Sequence, residues 1–412
     1  MRIKPAVIIC LLLVGLFSGG CVPARDFDDH LNSIVKPYRF SIGKWELETL
    51  LNDIKQSISD KEGRSKDASG KVTEYFSLVK RIRTLKHEIA TIDATDGNSD
   101  LASLEAGLGL LNKQRAALEN ITERTIEQQI KETLNLQGIF NPMDKYIKPK
   151  VSFPPLNFKL EKPPSLLVIS PRDRIESIRE ILLQKETGLS EKEAMEEMVD
   201  KLGVSSLVVE LGGLSTVYPT FVTNEASLRF TIDAATEEWL HQYLIFKPLG
   251  FLYLLDLLGI APNYEIATIN ETLTSMISKE IGSIIFKKYY STNENGEIGD
   301  RRDDSTSFFN REMREIRRKV DKYLAQGEIE QAEEFMKLKR QYLASRGHYI
   351  RKLNQAYFAF YGAYADSPTS ISPIGPELEK LRAESDSLKD FLETVASMTS
   401  RQDLQRALDK SP

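Results

Sequence analysis

The sequence predicts a mostly helical α+β protein, with an N-terminal helical hairpin, a small sheet with packed helices, and a helical C-terminal region. Long segments on both sides of the middle repeat apolar residues at steps of three and four, which is the helical period. Two short runs of β-branched and apolar residues lie between proline-rich and glycine-containing segments. The chain of 412 residues is 41% hydrophobic and 28% charged, a composition typical of a globular protein with a sizeable core.

The N-terminus has the layout of a secretory signal peptide, predicted to span residues 1–20. Basic residues precede an apolar run, Ala6–Phe17, which is shorter than the ~20 residues that a membrane-spanning helix needs. Small residues directly before a cysteine resemble the bacterial lipobox, with Ser18 where that motif usually has leucine. We therefore expect lipid attachment at Cys21, in the bacterial cell envelope outside the cytoplasm. Plain secretion and an uncleaved anchor are the alternatives.

Cysteine content and charge limit the partners of the mature chain. Cys10 lies inside the predicted leader, so cleavage leaves Cys21 as a single cysteine and no internal disulfide can form. The net charge is −5 with both signs interspersed, so we expect no nucleic-acid partner and a membrane contact through lipidated Cys21. A second apolar stretch, Phe246–Ile260, is interrupted by charged residues and a proline, which predicts a buried helix and not a membrane span.

Residues 21–150 are dominated by helical patterns that predict a hairpin stalk. The apolar positions that repeat at helical steps are Leu78, Ile82, Leu85 and Ile89, then Leu101, Leu104, Leu108 and Leu111. Asp93–Ser99, rich in aspartate, glycine and asparagine, is the predicted turn between the two helices. We interpret this zone as a helical spacer without chemistry. An amphipathic surface that docks a partner is the alternative.

Residues 151–222 are predicted to form the small sheet region. A proline-rich connector, Pro149–Pro164, leads into it. The runs Ser165–Ile169 and Ser206–Leu211 predict two strands on either side of a helical pattern from Arg174 to Leu202. The expected result is a strand, a helix and a strand, with helices packed on the sheet.

The candidate chemistry lies in residues 223–412. Residues four apart share a helix face, so Glu237 and His241 can aim at one point, with Glu238 beside them. This is the spacing of the zinc-peptidase motif His-Glu-x-x-His, in which two imidazoles bind the metal and the glutamate deprotonates its water. On a solvated helix such a set is more often only a charged face. Further on, Glu271 lies on a second helical pattern, where it is placed as a third ligand.

The stretch from Leu207 to Tyr290 resembles the gluzincin metallopeptidases. The matching segments are LVVELGGLSTVYPTFV, EEWLHQYLIFKPLG and INETLTSMISKEIGSIIFKKYY, which occur in the order expected of that family. The segment LNQAY at 353–357 resembles a C-terminal helix of putative aminopeptidases of the same clan. The resemblance extends in all over residues 153–398.

This resemblance implies a role for each motif residue. His241 and Glu271 are implied as metal ligands, and Glu238 as the general base. The strand that ends at 211–213 is implied as an edge against which an extended peptide can lie. A tyrosine hydroxyl is implied as a donor to the oxyanion of the tetrahedral intermediate, and the three candidates are Tyr357, Tyr361 and Tyr364.

Glu237 departs from the family pattern, because it stands where the family has a metal-binding histidine. A carboxylate can bind zinc at about 2.0–2.2 Å, so Glu237 stays a candidate ligand. Carboxylate-rich sites also favour manganese, and a metal-free site is a further alternative. Two functions follow. One is a membrane-anchored metallopeptidase in which a metal-activated water attacks a peptide bond, and the other is a catalytically inactive envelope lipoprotein that binds a peptide or protein.

The other residues of the C-terminal region predict structure without chemistry. The patterns Arg311–Ala344 and Glu377–Thr394 each predict a long charged helix. Trp239 is expected to pack in the core, and His348 is not expected to be a ligand. The predicted organisation is a signal peptide at 1–20, a helical stalk at 21–150, a small sheet region at 151–222 and a helical metallopeptidase-like region at 223–412.

Overall fold

A computed structural model describes seven stretches of the chain, namely residues 25–40, 68–93, 101–143, 152–185, 187–214, 219–291 and 304–410. These stretches hold thirteen α-helices and six β-strands, and the helical content of 65% confirms the predicted mostly helical α+β class. The predicted signal peptide, Cys21 and most of the predicted hairpin turn lie outside the described residues. None of the described helices is long and apolar enough to cross a membrane.

The helices and strands are numbered in chain order. The helices are α1 (Arg25–Val35), α2 (Ala68–Asp93), α3 (Leu101–Leu136), α4 (Leu189–Asp200), α5 (Leu228–Leu244), α6 (Pro248–Leu257), α7 (Tyr264–Tyr289), α8 (Asp304–Ala325), α9 (Ile329–Ser345), α10 (Gln355–Tyr361), α11 (Ile374–Glu384), α12 (Leu388–Ala396) and α13 (Arg401–Lys410). The strands are β1 (Phe158–Leu160), β2 (Ser165–Pro171), β3 (Arg179–Leu183), β4 (Val204–Glu210), β5 (Gly213–Leu214) and β6 (Thr220–Val222). They form two three-stranded sheets, in the orders β3-β2-β4 and β1-β6-β5.

The first sheet is antiparallel, with β2 between β3 and β4. Its central residue Leu167 pairs with Ile181 on one side and Val208 on the other. Alternate residues of each strand face opposite sides, and helices cover both. Apolar side chains on one face pack against α1 and α4, and those on the other face pack against α10. The strands predicted around 165–169 and 206–211 are therefore confirmed as β2 and β4.

The single helix predicted from Arg174 to Leu202 is wrong in its first half. Residues 179–183 form β3, and the helix is confined to α4. The apolar residues Ile175, Ile178 and Leu182 stand at steps of three and four, which imitates a helical face. Pairing with β2 overrides that pattern, because it places Ile181 and Leu183 together in the core under α1.

The largest core cluster joins the helical hairpin to the C-terminal helices. α5 and α7 pack against each other at its centre, and the hairpin α2–α3 packs against them through its base. The hairpin side chains in this cluster are Val72, Tyr75, Val79, Ile126, Ile130 and Leu134. The base of the hairpin therefore shares one core with α5 and α7.

Two glutamates of α3, the buried Glu123 and the half-buried Glu127, fasten the hairpin to the second sheet. Glu123 accepts a hydrogen bond from the backbone N–H of Leu160 at 2.8 Å, and Glu127 accepts one from Phe158 at 2.9 Å. These N–H groups lie on the outer edge of β1, which has a strand neighbour only on its β6 side. Burial raises the pKa of the Glu127 carboxyl to about 7. The helix therefore covers an edge strand whose N–H groups would otherwise lack partners.

The buried helix predicted for Phe246–Ile260 is wrong in its burial. The helix exists as α6, but only Leu249 and Gly250 are buried in it, while Phe251 is 52% and Leu257 49% exposed. Gly250 lies against the backbone of Leu244 at the end of α5, so a Cβ at this position would overlap the Leu244 carbonyl. This close approach turns the chain sharply between α5 and α6, and it leaves much of the apolar surface of α6 on the wall of a cleft.

The two long C-terminal helices predicted from charge periodicity are each broken in two. The first divides into α8 and α9 at Gly327, which has a φ of +74° that favours glycine. The second divides into α11 and α12 where Ser387 caps α12, accepting a hydrogen bond from Asp390 N at 3.1 Å. The helical pattern of the sequence continues through both breaks, so only the turn residues indicate that a helix ends there.

Replacing Gly250 with alanine is predicted to destabilise the protein by about 3 kcal/mol, because the added methyl group meets the Leu244 backbone, which cannot move aside as a side chain can. Urea unfolding followed by circular dichroism measures this change. Gly109→Ala is the matched control, since nothing lies within 4 Å of a Cβ at that helical position. The control is expected to stabilise the protein by up to about 1 kcal/mol. Equal stabilities for the two variants would contradict the prediction.

Candidate metal centre

The candidate centre lies between α5 and α7. Ser227 caps α5 by accepting a hydrogen bond from Phe230 N, and Asn263 caps α7 by accepting one from Ile266 N. The buried faces of the two helices carry Ile232 and Leu240 on α5 and Ile269, Leu273 and Ile277 on α7. Packing of these faces brings one turn of each helix together at the edge of the core.

Glu237, His241 and Glu271 converge at this point. One ligand atom from each lies within 4.8 Å of the ligand atoms of the other two, so the group could hold a metal ion. His241 Nε2 lies 3.7 Å from Glu271 Oε2, and the side chains of both residues are only 11% and 12% exposed. The three residues predicted as ligands from the sequence are thus brought together by the fold. Their roles as ligands stay predictions.

The imidazole of His241 is oriented by its neighbour on α7. His241 Nδ1 lies 3.0 Å from Asn270 Oδ1, so the ring nitrogen donates its proton to the amide oxygen and Nε2 keeps a lone pair. The Thr274 hydroxyl is 3.4 Å from Nε2, but it donates its proton to backbone carbonyls of α7. A metal-binding histidine is typically held in this way, with one nitrogen fixed by an acceptor and the other directed at the ion.

Each carboxylate of the group is held by a tyrosine hydroxyl. Tyr253 of α6 donates to Glu271 Oε1, and its ring stacks on His241 with centroids 5.7 Å apart. Tyr364 donates to the carboxylate of Glu237. Tyr364 is the only one of the three tyrosines named from the sequence that is bonded to the group, since Tyr361 lines the cleft and Tyr357 packs between two core clusters.

One oxygen of each carboxylate is left without a partner. Glu237 Oε1 and Glu271 Oε2 are both buried and accept no hydrogen bond from the residues that the structure describes. Buried polar atoms are nearly always satisfied, so two buried carboxylate oxygens without a partner need a cation or a proton. The donor set therefore fits a metal ion, with a histidine nitrogen and two carboxylate oxygens as the protein ligands.

Electrostatics supports the same conclusion. Burial raises the pKa of the Glu237 carboxyl well above its usual range, and the nearby Glu271 and Glu238 raise it further. Lys279 opposes this shift, although it also pairs with Asp366 at 2.5 Å. Without a metal, the centre therefore carries more negative charge than its surroundings can support, and a proton on Glu237 relieves it.

Glu238 lies beside the group and against the second sheet. A Cβ on Gly213 of β5 would overlap the Glu238 carboxylate, so this glycine makes room for the side chain. The charge of Glu238 also raises the pKa values of Glu237, Tyr253 and Tyr364, which shows that it faces the same point. The predicted general base is thus next to the predicted ligands, and its catalytic role stays a prediction.

A cleft of about 1530 Å³ opens over the centre. Its floor includes Glu237, Glu238, His241 and Glu271. Its walls are mostly apolar, and the side chains that form them include Phe40, Phe153, Leu182, Leu211, Leu214, Phe230, Phe246, Leu254, Leu257, Leu258 and Phe360. A cleft of this size is large enough to take an extended peptide of several residues.

Strand edges border the cleft where the resemblance to the gluzincins implies a peptide-binding edge. β4 is an outer strand of its sheet, but Glu196 and Arg351 bond the outward N–H and C=O of Val208, and Asp200 and Asn354 do the same for Ser206. These side chains cover the first half of the edge. The following residues, Leu211, Gly212 and Gly213, line the cleft, and β5 is the outer strand of the second sheet.

Sequence reasoning missed two residues of the centre. Asn270 precedes Glu271 on α7 and is fully buried, and its amide is a polar group in the core. Tyr253 lies in the apolar stretch Phe246–Ile260, and its hydroxyl is the feature that could have indicated a polar contact there. Trp239 packs in the core, as expected from the sequence. Trp239 is buried and donates to Pro154 O at 2.8 Å, and His348 packs against the rings of Phe308 and Phe309.

No protein-family model matches the chain, and neither the curated proteins nor the solved structures contain a match to it.

Asn270→Ala is predicted to lower zinc affinity by about 10- to 100-fold, because His241 loses the acceptor that fixes its ring. Isothermal titration calorimetry with zinc measures the change. Asn270→Asp keeps an acceptor at the same position and is expected to retain wild-type affinity or better. If the alanine variant binds zinc as the wild type does, Asn270 does not orient a ligand.

Metal affinity is predicted to rise with pH until the pH passes the raised pKa of Glu237. The raised pKa of Glu237 means that the metal-free centre holds a proton that a metal must displace, so affinity should fall about tenfold for each pH unit below that pKa. In the metal-free protein the same shift stabilises the fold at low pH, and this contribution is lost as the pH rises through the pKa of Glu237. Calorimetric titrations at several pH values test the prediction, and a pH-independent affinity would contradict it.

Proposed function

We propose that this chain is a metal-dependent hydrolase that cleaves peptide bonds. The observation that carries the proposal is the convergence of Glu237, His241 and Glu271, with two partnerless carboxylate oxygens, beside Glu238 at the floor of a large cleft. The proposal also rests on the resemblance to the gluzincin metallopeptidases, in which a glutamate next to the metal ligands acts as general base. The residues that lie together here include His241, Glu271 and Glu238, which are the residues that the resemblance implies as metal ligands and general base.

The proposed ligands are His241 Nε2 and one oxygen each from Glu271 and Glu237. A bound metal ion supplies Lewis acidity, which makes a coordinated water easier to deprotonate and polarises a carbonyl group. Zinc is the proposed ion because nitrogen and carboxylate ligands suit it. Manganese is the alternative, since two carboxylates against one imidazole favour a harder ion.

Glu238 is the proposed general base. Its carboxylate lies between the ligand group and Gly213 of β5, so it can accept a proton from a water at the centre. The same carboxyl group can then donate that proton to the leaving amine. Of the two tyrosines that line the cleft, Tyr361 is the proposed donor to the oxyanion that forms on the carbonyl, because the Tyr364 hydroxyl donates to Glu237.

The substrate is proposed to lie as an extended strand along Leu211, Gly212 and Gly213. Backbone groups at an uncovered strand edge can pair with an added strand without regard to its sequence. The absent Cβ atoms of Gly212 and Gly213 leave the space that Phe230 and Glu238 occupy, so Glu238 lies directly against this strand. The scissile bond would then sit above the ligand group.

The proposed location is the extracytoplasmic side of a bacterial envelope membrane, with the chain held by lipid on Cys21 after removal of residues 1–20. The leader-like composition of this segment supports the proposal. Multiple acyl chains give stable attachment where one chain gives only marginal binding.

A second candidate is a catalytically inactive module that binds a peptide or protein in the same cleft. It is favoured by the raised pKa of Glu237, because a protonated Glu237 satisfies the centre without a metal. A purified protein that contains no metal but binds peptides would support this candidate over hydrolysis.

Glu238→Gln is predicted to abolish peptide cleavage while leaving metal content at the wild-type level, since the amide cannot accept a proton but keeps the shape of the side chain. Cleavage of a mixed peptide library followed by mass spectrometry, together with elemental analysis, measures both properties. Full activity in the Gln variant would exclude Glu238 as the base.

Gly213→Ala is predicted to lower cleavage by at least about tenfold with little loss of stability, because the new methyl group displaces the flexible end of Glu238 and not a backbone segment. Gly109→Ala serves again as a control at an open position. An unchanged cleavage rate in Gly213→Ala would show that Glu238 does not act from the position seen here.

A further inference from the structure

The outer face of α8 carries a stripe of exposed positive charge. Five cationic side chains lie on it, and one acidic residue, Glu315, is exposed among them. The members of this stripe, called the α8 basic stripe below, are Arg311, Arg314, Arg318, Lys319 and Lys322. The whole chain has a net charge of −5, so the charge of this helix face is opposite in sign to that of the molecule as a whole.

The helical period explains why these side chains share one face. The opposite face of α8 is buried against α9 through Met313, Ile316, Val320 and Leu324. Those residues stand at steps of three and four, and the basic residues follow the same steps displaced to the other side. Packing of the apolar face therefore holds the α8 basic stripe outward.

The charges of the stripe are not neutralised by the part of the protein that the structure describes. None of its five members forms an ion pair with a described carboxylate, whereas Arg317 on the same helix pairs with Asp321 at 2.8 Å. Arg311 lies over the ring of Phe308 and Lys319 over the ring of Tyr323. Ring contacts of this kind hold a cation in place but leave its charge available to a partner.

Contacts at one end of the first sheet link the stripe to the start of the described chain. Asp28 in the first turn of α1 lies 3.7 Å from Arg179 at the start of β3, and Arg179 pairs with Ile169 near the end of β2. Just after β2, Arg172 forms a two-pronged ion pair with Glu333 in the first turns of α9, at 2.6 and 2.8 Å. The C-terminal end of α8 and the N-terminal end of α1 thus lie at the same end of this sheet.

We propose that the α8 basic stripe docks on an anionic lipid surface. The stripe lies along the exposed face of one helix, which is how basic residues are arranged on helices that bind the phosphate headgroups of a membrane surface. Its C-terminal end lies at the same end of the first sheet as the N-terminal end of α1, which is the described helix nearest in sequence to the predicted lipid attachment at Cys21. Basic side chains at an anionic bilayer add a second attachment to that of an acyl chain. Docking through the stripe would then set the orientation of the protein, and therefore of the cleft, relative to the membrane.

Vesicle co-sedimentation of residues 22–412 tests the proposal. This chain keeps every described residue and lacks the acylated cysteine, so binding reports on the protein surface alone. We expect binding to vesicles of phosphatidylglycerol and phosphatidylcholine, and none to phosphatidylcholine alone. Raising the salt concentration from 0.1 to 1 M should release the protein, because the screening length falls from about 10 to about 3 Å.

The decisive variant is the triple substitution Arg314→Gln, Arg318→Gln and Lys322→Gln. Each basic side chain at an anionic bilayer changes affinity by about fivefold, so the variant should bind on the order of 100-fold more weakly. Glutamine keeps helix propensity, and circular dichroism checks that the fold is unchanged. The matched control removes three exposed cations of α2 instead, through substitution by glutamine at Lys80, Arg81 and Arg83.

Loss confined to the α8 variant supports the proposal. Equal losses in both variants would overturn it, because net charge and not the α8 basic stripe would then govern binding. Equal binding to neutral vesicles would overturn it as well. A soluble polyglutamate chain that binds the wild type tightly while anionic vesicles do not would show that the stripe takes an acidic protein partner.

Discussion

The packing of α5 against α7 is the contact on which the candidate centre depends. Apolar side chains on the facing surfaces of these helices are buried in the largest core cluster, which also receives the base of the hairpin. Because the two helices are fixed in register, His241 and Glu271 face each other across their interface. A shift of one residue in either helix would turn a ligand by about 100° and take it out of the group.

Like charge is the second constraint, and it opposes the first. The fold holds two carboxylates and a third glutamate close together in a partly buried place, where their mutual repulsion and loss of hydration are costly. Tyr253 and Tyr364 each satisfy one carboxylate and leave its second oxygen for another partner. A metal ion satisfies both remaining oxygens and the imidazole at once, whereas a proton satisfies only one of them. Whether the centre holds a metal ion or a proton therefore distinguishes the proposed hydrolase from the inactive binding module.

Local patterns predicted part of this arrangement. Spacing on one helix placed Glu237, Glu238 and His241 together, and resemblance added Glu271 from a second helix. The contacts of Tyr253 and Asn270 depend on how α6 and α7 cross α5, which no local pattern encodes. The strand at 179–183 was missed because pairing with β2 outweighs an apparent helical step, and α6 was expected in the core because its sequence does not show that a cleft opens beside it. Lipid attachment at Cys21 stays a prediction, since it lies outside the described residues.

Metal content is the property that tests the account most directly. Residues 22–412, purified without chelators and analysed for elements beside a His241→Ala variant, should contain about one zinc or manganese ion per chain, and the variant should have lost it. Absence of stoichiometric metal from both proteins, with the fold intact and after exposure to excess zinc and manganese, would contradict the metal centre and with it the proposed hydrolase.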